Sequence, residues 1–300
     1  MMKPPGCTSK FKFLSRGATG WVLQIDKDIV LKYTRDGRGE AFEHENATYD
    51  ILETHEPSPY LLQSFLRRPG MNFLDFMHGG SLDKRIRDNQ LRDSRGNLIE
   101  VSRKESKQKS EQWAMELAGA IAWLESLGLV HGDLRPANIL IDHSDHIKLA
   151  DFDCVSDIGS QSHGNAPPWA RLQGREAGAE IGTWGTNGPR TEQFAFGSIL
   201  YTITRGFQPY EDQEPGPNVV QWLQNMDFPE LSDNQVDEVI HRCWRGLYRS
   251  VGDLAEETAI LEGAITIPRA TALDDQYITK LRDRCCRLLD EEFLDIAGGR

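Results

Sequence analysis

His131-Gly132-Asp133-Leu134-Arg135-Pro136-Ala137-Asn138-Ile139-Leu140 is the stretch on which the reading of this chain turns. A carboxylate, Asp133, and a carboxamide, Asn138, stand five residues apart on a tight loop that runs into an apolar strand patch, Ile139–Ile141. Two such groups can address different atoms of one phosphate site. The aspartate can orient an attacking hydroxyl or accept its proton, and the carboxamide oxygen can ligate a hard cation. An ordinary polar turn before a strand would carry the same spelling. Just downstream, Ala150-Asp151-Phe152-Asp153 follows a second apolar patch, Ile147–Leu149. Asp151 lies 18 residues beyond Asp133, at a strand end where a carboxylate can meet a cation. Taken alone, that tetrapeptide is also a plain strand-ending turn.

Upstream of this pair, Ser110–Leu127 places Trp113, Leu117, Ile121 and Leu124 at helical spacing and predicts an amphipathic helix. Further back, Phe11–Leu14, Trp21–Ile25 and Ile29–Tyr33 predict strands around a glycine turn and the polar break Asp26-Lys27-Asp28. Glu40–Thr54 predicts a helix stopped by Pro57 and Pro59, and Tyr60–Phe65 and Met71–Met77 predict two more strands. After His78-Gly79-Gly80 the pattern turns helical, with 83–110 expected as a helix and a solvated charged loop. Ser156–Gly188 is rich in Gly, Ser and Pro and predicts a long loop. Helices are expected at Glu192–Arg205, with Thr191 as cap, and at 233–246, 250–262 and 275–296.

Composition narrows the field. With 39% apolar and 27% charged residues the chain can bury a globular core. A net charge of −12 argues against a dedicated nucleic-acid or anionic-membrane binder, which needs a basic face. Five cysteines (Cys7, Cys154, Cys243, Cys285 and Cys286) contain no C-x-x-C pair and fit neither a zinc site nor a disulfide framework. Met1–Lys10 lacks the apolar stretch of a signal peptide, and Glu116 and Glu125 interrupt the most apolar helix. A soluble, intracellular and cytoplasmic protein is expected.

These motifs, in this order, resemble the eukaryotic-type protein kinase domain, most closely its divergent, fungal-type members. His131, Asp133 and Asn138 match H-R-D-x-x-x-x-N, and Asp151 with Phe152 matches the start of D-F-G. Ser15-Arg16-Gly17-Ala18-Thr19-Gly20-Trp21-Val22 resembles the glycine-rich loop, with Ser15 at the first glycine position. Val30-Leu31-Lys32 resembles the strand whose lysine holds phosphates, and Glu45 the helix glutamate that pairs with it. Leu74-Asp75-Phe76-Met77 resembles the hinge, and Glu192-x-Phe194-x-x-Gly197 a D-x-W-x-x-G segment. The resemblance runs from about residue 11 to about residue 260.

The resemblance implies one domain over 1–300 with a bilobal α+β fold: a small β-rich N-lobe at about 11–77 and a larger, mostly helical C-lobe at about 78–300. It implies ATP and Mg2+ as cofactors, held between the lobes, and transfer of the γ-phosphate to Ser/Thr hydroxyls of a protein substrate. It gives Asp133, Lys32, Glu45 and Arg135 catalytic roles. Gly17, Gly20, Val22, Lys32, Asp75 and Met77 would bind ATP, and Asn138 and Asp151 the metal. No nucleic-acid recognition and no membrane span are expected.

The chain departs from the pattern at defined places. Gly132 replaces the arginine that meets an activation-loop phosphate, Asp153 replaces the mobile glycine, and Ala166-Pro167-Pro168 lacks the glutamate of A-P-E. Arg242, the usual partner of that glutamate, is left to Glu192, another acid or solvent. These departures keep two other readings open. One is a nucleotide-binding pseudokinase that acts as a scaffold; the other is a small-molecule phosphotransferase, for which His131-Gly132-Asp133-Leu134 is also a fitting spelling.

Overall fold

The computed structural model describes residues 11–17, 19–35, 39–213 and 218–292. Cys7 and the rest of Met1–Lys10, Ala18 of the glycine-rich segment, and 293–296 of the expected last helix lie outside the described residues. The chain divides into two compact units. Met1–His78, Asp151–Asp153 and Thr271–Arg300 make the first, and Gly79–Ala150 with Cys154–Ala270 make the second.

The first unit begins with strands β1 (Lys12–Arg16), β2 (Gly20–Gln24) and β3 (Ile29–Thr34), then helix α1 (Gly39–Leu52), then β4 (Ser64–Arg68) and β5 (Met71–Asp75). They form one antiparallel sheet in the order β1-β2-β3-β5-β4. β4 starts later than the expected Tyr60–Phe65, because residues after Pro57 and Pro59 stay outside the ladder and pairing begins only at Ser64 opposite Leu74. Period-two alternation divides the sheet into two faces. Val22, Lys32 and Asn72 are cross-strand neighbours on one face, and Leu23, Leu31 and Phe73 on the other. Gly20 must be glycine: a Cβ there would lie 2.7 Å from the Tyr33 carbonyl oxygen.

The second unit opens with β6 (Gly80–Ser81) and α2 (Leu82–Arg87), which is capped by the Ser81 hydroxyl accepting from the Lys84 amide. Instead of a solvated loop, the charged segment that follows forms a hairpin, β7 (Gln90–Arg92) and β8 (Leu98–Val101). Helix α3 (Lys107–Ser126) is buried on more sides than an amphipathic helix requires. Its carboxylates face inward and accept backbone amides: Glu111 from Gly263, Glu116 from Ile147, and Glu125 from Val251 and Gly252. Such anchoring satisfies buried donors that would otherwise be orphaned. Strands β9 (Leu129–Val130), β10 (Ile139–Ile141) and β11 (Ile147–Leu149) come next, the last two with the bounds expected from sequence. β12 (Ser156–Asp157) pairs with β9, so the Gly/Ser/Pro-rich segment starts as a strand and continues through 3-10 turns at Arg175–Glu180.

Helix α4 (Pro189–Arg205) begins three residues earlier than expected, after Gly188. The Thr191 hydroxyl bonds both the amide and the carbonyl of Gly188. α5 (Asn218–Gln224), α6 (Gln235–Trp244), α7 (Val251–Thr258) and α8 (Glu262–Thr266) complete the unit. Gly197 of α4 meets Cys243 and Trp244 of α6 so closely that a Cβ would lie 2.9 Å from the Cys243 Cβ. Arg242 pairs with Glu257 and lies over the Tyr248 ring, 4.3 Å from its centroid.

The last helix, α9 (Asp275–Glu292), returns to the first unit. This revises the expected boundary, which assigned everything after residue 78 to the helical lobe. Leu281, Cys285 and Leu288 bury against Leu23, Leu31, Phe65 and Phe73, the sheet face opposite Lys32. Arg282 Nε donates to the Phe65 carbonyl at 2.9 Å, and Arg284 Nε to Asp26 Oδ2 at 2.7 Å. The sheet therefore has α9 against one face, while Phe42 of α1 comes within 3.4 Å of a Cβ built on Gly20, on the other.

Candidate active site

In the first unit, strand pairing brings three sequence-predicted residues together. Lys32 sits on β3 directly opposite Val22, with its side chain on the face where Gly20 also lies. Its Nζ is 2.5 Å from Glu45 Oε2 of α1 and 2.5 Å from Asp151 Oδ1. The Asp151 contact has hydrogen-bond geometry. Burial alone would make this ammonium easier to deprotonate; the charges of Glu45 and Asp151 outweigh it and raise the lysine pKa. Burial first, then the nearby Asp151 and Asp153, hold Glu45 above the ordinary carboxylate range, with Lys32 opposing them.

Asp151 has φ of 70°, whereas Asp153 does not share the left-handed conformation and lies in the 3-10 turn Phe152–Cys154. The left-handed backbone thus falls on Asp151 itself, two residues before Asp153. Phe152 anchors that turn. It is fully buried, packs edge-on to Tyr49 with ring centroids 5.1 Å apart, and offers its carbonyl to Thr48 Oγ1 at 3.5 Å.

Gly17 and Asp75 are less committed to one role. The Gly17 amide donates to the Gly20 carbonyl at 2.8 Å, which closes the β1–β2 turn. The Asp75 amide donates to the Gln63 carbonyl at 3.0 Å, so its backbone can meet a ligand only through the carbonyl. Met77 is buried two residues further on.

In the second unit, Asp133 is the centre of a polar cluster. Asn138 Nδ2 donates to its Oδ2 and to its backbone carbonyl, both at 2.8 Å. Arg135 Nη2 lies 3.1 Å from Oδ2, and Asn165 Nδ2 donates to Oδ1 at 2.5 Å. His131 holds the loop: its Nδ1 accepts the Asp133 amide at 3.3 Å, and Nε2 lies 3.1 Å from the Ala150 carbonyl. Those partners select the tautomer protonated at Nε2. Glu192 of α4 accepts the His131 amide at 2.9 Å and the Gly132 amide at 3.4 Å. Burial raises the Glu192 pKa to about 7, against the two amides that favour its charge.

Gly132 has φ of 76°, and a Cβ there would lie 2.5 Å from the Cys154 carbonyl oxygen. The arginine missing from the motif therefore has no room in this backbone. Asn165 is a site residue that sequence spacing does not single out. It sits 32 residues beyond its partner in a Gly/Pro-rich segment, and no local pattern links the two.

Asp151 in the first unit offers carboxylate oxygens and Asn138 in the second a carboxamide oxygen, each a donor type that hard cations take. No cluster of three or more His, Cys, Asp or Glu able to hold a metal is present among the described residues. No helix among the described residues is long and apolar enough to cross a membrane.

Comparison with known proteins accords with this geometry. The family described as protein tyrosine and serine/threonine kinase matches residues 27–250. The chain belongs to that family, and its fold is the bilobal α+β fold of protein kinases. CBL-interacting protein kinase 14 of Oryza sativa subsp. japonica is 24% identical over 213 residues, 70% of this chain and 44% of that protein. Tyrosine-protein kinase sid-3 of Caenorhabditis elegans is 24% identical over 235 residues, 74% of this chain and 17% of that protein. Protein kinase C eta type of Mus musculus is 25% identical over 232 residues, 74% and 28% respectively. The chain thus spans less than half the length of these relatives.

Proposed function

We propose that this chain is an ATP- and magnesium-dependent protein kinase that phosphorylates Ser/Thr hydroxyls, with residues 1–300 acting as one domain. The observation that carries the reading is the buried Lys32 ammonium held by both Glu45 and Asp151. A buried lysine is retained at such expense of desolvation where a fixed positive charge is needed. Magnesium-bound ATP supplies the phosphoryl group, with the cation neutralising charge on its phosphate oxygens.

Lys32 then presents a fixed cation to the phosphates, and Glu45 keeps its Nζ in place. Gly17, Gly20 and Val22 line the strands beside it, and the backbone at Asp75 and Met77 meets the adenine. Asn138 and Asp151 are the oxygen ligands for the cation. Asp133 orients the acceptor hydroxyl, with Asn138 and Asn165 fixing its two carboxylate oxygens, and Arg135 keeps positive charge beside it. Catalysis of this kind is positioning and charge neutralisation. Asn165 on Asp133 Oδ1 favours a second reading, a nucleotide-binding scaffold, because that oxygen is engaged before any acceptor arrives.

Calorimetry of ATP binding with and without magnesium, on the wild type and Asp151→Ala, tests the nucleotide site. Magnesium-dependent binding lost in the variant is expected. Absence of binding in both proteins would remove the proposal.

A further inference from the structure

Beside Asp133 the second unit contains a small cavity of about 30 Å³ whose walls include Leu134, Asn165, Trp169, Arg171, Trp184 and Arg190. Two of these residues tie it to the candidate catalytic aspartate: Leu134 follows Asp133 in the chain, and Asn165 donates to its Oδ1. Two guanidinium groups share the cavity. Arg171 is nine-tenths buried; its Nη1 donates to Glu176 Oε1 at 2.7 Å and to the Leu172 carbonyl at 3.3 Å. Its Nε, also buried, has no hydrogen-bond partner among the described residues. Arg190 Nη2 donates to the Trp184 carbonyl at 2.6 Å, and Arg190 forms no ion pair among the described residues. Burial and then repulsion from Arg171 lower its pKa, with Glu176 opposing. Glu192, the carboxylate on the inner wall, is turned to the His131 and Gly132 amides.

An unpartnered buried donor and an arginine without a counter-ion are unfavourable in the free protein. An anionic oxygen group in the cavity would give the Arg190 guanidinium the counter-ion it lacks among the described residues. A carboxylate is the anionic group that an unmodified protein substrate carries, and its two oxygens match a guanidinium fork. We propose that this cavity receives the carboxylate of an aspartate or glutamate lying one or two residues from the acceptor hydroxyl of the substrate protein. The spacing follows from the reach of an extended chain, roughly 3.3 Å per residue, from a hydroxyl aligned on Asp133. The inference rests on the reading of Asp133 as the residue that aligns the acceptor, and it adds the chemical class of substrate.

The test is equilibrium binding of short peptides in which alanine replaces the acceptor, so that no phosphotransfer is needed. Glu, Gln, Lys and phosphoserine are scanned through the two positions on either side of that alanine. Glu peptides are expected to bind roughly tenfold tighter than Gln peptides at one or two positions, as a charge-assisted pair requires. Arg190→Glu is expected to reverse the preference toward Lys. Equal affinity of Glu and Gln peptides for the wild type at every position, no binding of any of them, or tighter binding of phosphoserine than of Glu would overturn the proposal. Because the readout is binding, discrimination without phosphotransfer upholds the cavity while sinking the transfer reading alone.

Discussion

Lys32 Nζ and Asp151 Oδ1 lie 2.5 Å apart, joining the third strand of the sheet to an aspartate 119 residues further along the chain. With Glu45 on the other side, the ammonium is enclosed by two carboxylates, and removing it leaves both uncompensated. Lys32→Met is therefore expected to lower unfolding free energy by about 3 kcal/mol, the scale of a broken buried ion pair. Urea denaturation measures this directly. A stability within about 0.5 kcal/mol of wild type, the range of an ordinary surface change, would mean that the three groups are not mutually dependent.

Gly132 answers a steric demand rather than a loss of function. Its φ of 76° disfavours any side chain, and the Cys154 carbonyl oxygen stands only 2.5 Å from where a Cβ would project. Gly132→Ala is expected to cost about 2 kcal/mol of stability, and Gly132→Arg more, through strain and overpacking. Reinstating the arginine would thus damage the loop instead of restoring a phosphate contact. Thermal unfolding of the two variants checks the order; an arginine variant as stable as wild type would contradict it.

Glu192 gives a pH signature. Its pKa is 4.5 in the unfolded chain and about 7 when buried beneath His131 and Gly132. The folded protein binds that proton more tightly, so this group's contribution to stability falls as pH rises from about 4.5 to about 7. The change is on the order of 3 kcal/mol. Glu192→Gln removes the titration, so the difference in stability between variant and wild type should vary with pH across that window. Parallel stability profiles would show that the carboxyl does not titrate there.

Helix α9 is part of the sheet's own core. Leu288→Ala removes a fully buried side chain from the cluster with Leu31 and Phe73 and should cost about 3 kcal/mol. Because Leu31 precedes Lys32 on β3, the same variant should also weaken ATP affinity. Denaturation and calorimetry on one preparation test both effects; unchanged values would make α9 a dispensable appendage.

Local chemistry is legible in the sequence, and distant packing is not. The strands carrying Lys32 and the patches Ile139–Ile141 and Ile147–Leu149 declare themselves by apolar runs between turn residues. The Lys32–Glu45 pairing is implied by the resemblance to protein kinases, and the two side chains meet at 2.5 Å. The hairpin Gln90–Val101 leaves no periodic signal, because its apolar residues Leu91 and Ile99 are exposed and its neighbours are charged. The periodicity of α9 shows that it has an apolar face but carries no address for the sheet some 200 residues away. The same holds for Asn165 and for the Arg171–Arg190 cavity, which exist only once the segment after β12 is folded beside Asp133.

The most direct test of the central claim is phosphotransfer from ATP and magnesium to generic protein acceptors, compared between the wild type and Asp133→Asn. Transfer to serine or threonine by the wild type is expected, with a loss of at least about a hundredfold in the variant and nucleotide affinity nearly unchanged. Turnover by Asp133→Asn equal to wild type would contradict the role of Asp133. Tight nucleotide binding with no transfer by the wild type would instead make the chain a scaffold.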